Sequence, residues 1–104
     1  MAQFDVHPNP VMAARRAYPW VVVLQSAFAN DSRDRIVAPL VPRASYPPMT
    51  GRLTPAVKVA GAEYVLMVPS LAGVAARDLG EPIGSLGESR VEILSAIDFL
   101  FFAI

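Results

Sequence analysis

The chain has no cysteine, which excludes disulfides, thiolate metal sites and cysteine nucleophiles and suits a cytoplasmic protein. It has a single histidine, His7, so a Ser/His/Asp arrangement would have to be built on that one imidazole. At the end of a short strand, His7 reads instead as a polar surface residue. Neither sign of charge is in excess: nine basic and nine acidic residues cancel. That balance argues against specific nucleic-acid binding, which draws on a basic face. No run approaches the roughly 20 apolar residues a membrane span requires, and Met1 to His7 lacks the basic-then-apolar pattern of a secretory signal. Gly-rich phosphate loops, zinc-ligand spacings and Gly-x-Ser-x-Gly elbows are missing, and no cofactor is expected. Proline and glycine are plentiful (10 and 6), yet none follows Gly87.

What is present is apolar. Hydrophobic residues make up 54% of 104, and charged residues only 17%. One domain spanning 1–104 is expected, with more apolar surface than so small a core can cover, which points to an oligomer interface. The excess is concentrated after Asp98, in Phe99-Leu100-Phe101-Phe102-Ala103-Ile104.

The Pro/Gly distribution predicts a strand-and-turn body over about 1–84 and a helix over about 86–102. Gln3 to His7 alternates like a half-buried strand, and Pro8-Asn9-Pro10 ends it, placing Arg15 and Arg16 in a loop. Tyr18 to Gln25, with Trp20-Val21-Val22-Val23-Leu24, reads as a central strand. Asn30 to Asp34 reads as a polar turn, followed by a strand from Arg35 to Val41 in which Pro39 calls for an edge or a bulge. Arg43 to Arg52 reads as a loop. Ala56–Val59, a turn at 60–62 and Glu63–Val68 form a hairpin. Leu71 to Leu79 fits a strand or a helical turn equally well. In the helix, Ser85 with Glu88 or Ser89 with Glu92 fits a capping box, and Val91, Leu94, Ile97 and Phe101 form a stripe at helical spacing.

Few residues suggest chemistry. Asp31 and Asp34 beside Arg33 and Arg35 form a solvated charged turn more readily than a paired-carboxylate site. Arg15, Arg16, Arg43 and Arg52 could converge on an anion. On pattern alone, Phe99, Phe101 and Phe102 read as core residues ahead of a binding surface.

The order of segments resembles the CcdB family of toxin–antitoxin toxins over essentially the whole chain. The matching stretches are Gln3-Phe4-Asp5-Val6, Val23-Leu24-Gln25-Ser26, Arg35-Ile36-Val37-Ala38-Pro39-Leu40, Leu53-Thr54-Pro55-Ala56-Val57, and Ala96 to Ile104. The resemblance implies a mainly β fold with one C-terminal α-helix, an SH3-like antiparallel β-barrel of the CcdB/Kid/MazF type, in an obligate homodimer. It also implies a protein without catalytic activity that binds the A subunit of DNA gyrase and traps the cleaved DNA complex.

The family binds gyrase through a terminal Trp-Gly-Ile, an asparagine one helical turn earlier and two isoleucines after the Gln-Ser pair. Those positions here are Phe102, Ala103 and Ile104, then Asp98, then Phe28 and Ala29. Phe102 keeps a stacking face with weaker cation–π attraction than indole. Ala103 adds a methyl group and gives up glycine's easy access to positive φ. Asp98 exchanges an amide for a charge. The resemblance further implies a cognate CcdA-like antitoxin with a disordered acidic segment, for which Arg15, Arg16, Arg43 and Arg52 are the expected docking cations. Two alternatives stay open: a CcdB-like dimer that has lost gyrase poisoning and acts on another target, and a MazF-like mRNA endoribonuclease.

Overall fold

The computed structural model describes residues 2–29, 33–45 and 51–103. Seven strands form one antiparallel sheet: β1 (Asp5–Pro8), β2 (Trp20–Val23), β3 (Asp34–Pro42), β4 (Ala56–Val59), β5 (Ala62–Leu66), β6 (Ala72–Ala75) and β7 (Gly84–Ser85). Their order is β4-β5-β3-β2-β1-β7, with β6 paired to the first half of β3. The sheet curls into a nearly closed barrel, and α1 (Arg90–Phe102) packs its inner face against the core. The mainly β architecture with one C-terminal helix is thus as the sequence indicates.

β2 lies in the middle because its run of branched residues tolerates burial on both faces. Val22 and Leu24 join Phe4, Val6, Leu40, Leu66 and Ile93 in the main core. Val21 and Val23 face the other way, into a smaller cluster with Val37 and Leu79. His7 belongs to this second layer. It pairs with Val21 across β1 and β2, is only 1% exposed, and its Nδ1 lies 2.7 Å from the carbonyl of Gly80. The surface reading of His7 is therefore wrong. The segment after β6 folds back over β1 and β2, with Leu79 as its apolar plug and His7 as its tether.

Several local departures have backbone causes. β1 begins at Asp5 rather than Gln3 because Phe4 is left-handed (φ +69°), a conformation costing about 1–2 kcal/mol for a residue with a Cβ. Burial of its ring, a 2.7 Å bond from its N–H to the Val23 carbonyl and one of 2.8 Å from Leu86 N–H to its own carbonyl hold it there.

Pro39 sits inside a central strand, not on an edge. Ile36 directs its carbonyl to β2, accepting from Leu24 N–H at 2.9 Å, and Pro39 directs its carbonyl to Met67 N–H on the opposite side, also at 2.9 Å. By alternation the Pro39 nitrogen also faces away from β2, at the point where β3 exchanges β6 for β5 as its neighbour. No ladder donor is required there.

The hairpin turn is built on Ala60 (φ +51°) and Gly61 (φ +82°), the two positive angles of a two-residue turn matched to sheet twist. Residues 71–79 are both things the sequence allowed, strand β6 followed by a 3-10 turn at Ala76–Asp78. The predicted helix resolves into a 3-10 turn, Gly87–Ser89, and then α1. Neither capping box forms: Ser89 makes no side-chain cap, and the Ser85 hydroxyl accepts from Gly87 N–H at 3.1 Å.

Candidate binding surface at the end of the helix

At 100° per residue, the inner face of α1 is Ile93, Ala96, Ile97 and Leu100. Ile93 and Ala96 are fully buried and the other two partly so. The stripe expected at Val91, Leu94, Ile97 and Phe101 is rotated from this, since Val91 and Phe101 are exposed. The correct repeat starts two residues later and was hidden because apolar residues surround the helix on all sides.

Opposite the core, one outward line carries Val91, Asp98 and Phe102. Phe102 is 68% exposed. Two flanks complete the surface. On one, Phe99 is 40% exposed and lies beneath the Arg52 guanidinium, 4.7 Å from ring centroid to Cζ. Arg52 Nε also donates to the Ser95 hydroxyl at 2.8 Å. On the other flank, Phe101 is 59% exposed and borders a depression lined almost wholly by carbon, with Leu24, Gln25, Ile36, Leu71 and Ile97. The three phenylalanines are therefore surface residues in three different settings, not core residues.

Ala103 ends the helix in the left-handed region (φ +58°), its N–H bonded to the Phe99 carbonyl at 3.1 Å. The expectation that alanine would give up this conformation is not met. The chain takes the αL cap usually given to glycine and bears the Cβ penalty.

Phe28 and Ala29 lie in the 3-10 turn Ala27–Ala29. That turn springs from Gln25, which donates to the Ala29 carbonyl at 3.2 Å and lines the same depression as Phe101. Gln25, at the foot of that turn, and Phe101 on the helix thus border one apolar hollow. Ile104 lies outside the described residues, as do residues 46–50 of the Arg43–Arg52 loop and Asn30 to Ser32 of the polar turn.

The four arginines do not form one site among the described contacts. Arg15 braces its own loop, Nε donating to the Asn9 carbonyl at 2.6 Å. Arg16 is exposed on that loop beside exposed Val11, Met12 and Tyr18. Arg43 starts a 3-10 turn, and Arg52 is engaged on the helix. Sequence reading placed Val91 in the core stripe, not on the outward line, and missed the Arg52–Phe99 stack. The seven-residue spacing of Val91 and Asp98 could have revealed the first; the second depends on a loop path that no local pattern encodes. Among the described residues, no group of three His, Cys, Asp or Glu side chains could hold a metal ion. No described helix is long and apolar enough to cross a membrane.

A nearly closed antiparallel barrel, one terminal helix and an exposed, aromatic, poorly charged helix end define a small, mainly β protein. The family model described as CcdB protein matches residues 3–102. The chain belongs to the CcdB family, toxins of toxin–antitoxin systems. No curated protein matches the sequence significantly.

Proposed function

We propose that the protein is a CcdB-type toxin that binds the A subunit of DNA gyrase and traps the cleaved DNA complex, acting in the cytoplasm without catalysis of its own. The observation that carries this reading is the outward line on α1. Val91, Asp98 and Phe102 have no role in the core, and Asp98 and Phe102 are two of the positions that the resemblance assigns to the target. An exposed carboxylate one turn from an exposed aromatic face suits a guanidinium on the partner, which could pair with the first and stack on the second. The αL cap at Ala103 supports the reading, since it preserves the backbone turn that a glycine there would make. Phe28, Ala29 and Ile104 complete the proposed contact.

Two copies are proposed to meet across the hollow between Phe101, Ile36 and Leu71, which is too apolar to be left to water. A dimer carries two helix ends related by a two-fold axis, matching a two-fold target. A CcdA-like antitoxin with a disordered acidic segment is proposed to neutralise the toxin through Arg15, Arg16, Arg43 and Arg52. Of these, Arg16 is the best presented, because exposed apolar residues adjoin it.

The test is a DNA cleavage assay with purified gyrase. Linear DNA should accumulate with the protein and not with a variant lacking 102–104. RNA cleavage without gyrase, or antitoxin binding with neither activity, would overturn the assignment.

A further inference from the structure

The barrel has a seam. The two end strands of its main path, β4 and β7, line one open depression of about 370 Å³, with the 3-10 turn Gly87–Ser89 as a further wall. Hairpin geometry shows which backbone groups face it. The two-residue turn makes Val59 and Ala62 a hydrogen-bonded pair, and the 3.0 Å bond from Leu66 N–H to the Pro55 carbonyl confirms the same phase at the far end. Val57 therefore also turns its N–H and C=O toward β5, and those of Ala56 and Lys58 point outward.

On the other edge, Leu86 N–H is bonded to the carbonyl of Phe4, the residue just before β1. The Ser85 carbonyl, antiparallel to that N–H across the same trans peptide, points away from β1. Both edges thus offer main-chain groups outside the ladder. Buried Val57 and Leu86 border the depression. Lys58 and Glu63 stand directly opposite each other across the hairpin, and exposed Glu88 adds a second carboxylate, leaving one negative charge in surplus.

We propose that this seam docks a short extended segment of a partner protein, added as a strand against β4 and carrying a lysine or arginine between apolar residues. β4 offers four residues, about 13 Å at ~3.3 Å each. Main-chain bonds to Ala56 and Lys58 supply adhesion, the apolar side chains lie along the wall that Val57 and Leu86 border, and the cation meets Glu88. This site is separate from the helix end and does not depend on the gyrase reading.

The probe is the blocked peptide Thr-Val-Lys-Val-Thr, titrated into the full protein and followed by amide NMR and hydrogen exchange. Saturable shifts at Ala56 and Lys58 are expected, with exchange there slowed at least about tenfold while Val57 and Val59 stay unchanged. Glu88→Lys, and separately a Glu in place of the peptide's Lys, should each weaken binding by about fivefold. Shifts confined to other residues, no shift at ~5 mM peptide, or binding indifferent to both charge changes would overturn the proposal. Protection of Ala56 and Lys58 that grows with protein concentration in the absence of peptide would overturn it too, assigning the seam to a second copy.

Discussion

The two faces of α1 are made of similar residues and do opposite work. Ile93 and Ala96 on the inner face are sealed against the barrel, whereas Val91 and Phe102 on the outer face are as apolar and remain in water. Composition therefore does not separate the buried face from the exposed one in this helix; angular position does. The inner face costs nothing to keep apolar. The outer face is tolerable only if something covers it part of the time.

The two faces differ most sharply at Ile93. Ile93→Ala should lower unfolding free energy by about 2–5 kcal/mol in denaturant titration, whereas Val91→Ala should change it by less than ~0.5 kcal/mol. Equal effects would show that the two faces are not distinct. Phe102→Ala should reverse the pattern, leaving stability nearly unchanged while weakening target binding by about 2 kcal/mol or more, as loss of an aromatic anchor does.

The sheet's second layer makes a similar contrast with the helix end. His7→Leu leaves the Gly80 carbonyl without its partner and should cost about 1–3 kcal/mol. The smallest effect is expected at the hairpin. Ala60→Gly should raise stability by about 0.5–1 kcal/mol by relieving a left-handed alanine, and a loss of stability would show that the turn bears no such strain.

Much of the fold was legible because its signals are local. The Trp20–Val23 run, the hairpin around Ala60-Gly61 and the absence of Pro and Gly after residue 87 each mark an element without help from the rest of the chain. What could not be read depends on long-range partners. His7 looks like a surface residue until the segment at Gly80 crosses over it. Pro39 looks like an edge marker until β3 is seen to change neighbours there. The stripe on α1 was misplaced because every rotation of that helix offers an apolar face, and only packing selects Ile93 and Ala96. At the candidate surface, Asp98 and Phe102 were identified by family resemblance, but their shared outward direction is a property of the helix seated on the barrel. Ala103 shows the converse limit: residue type argued against a conformation that the helix cap nevertheless imposes.

The outward face of the helix end is proposed to bind gyrase. Calorimetric titration of the protein into the purified dimerisation fragment of the gyrase A subunit tests it most directly. Saturable binding at one toxin dimer per fragment dimer is predicted, lost on Phe102→Ala and retained on Val91→Ala. Absence of heat with a folded, dimeric protein at ~100 µM, or binding that survives Phe102→Ala unchanged, would contradict it.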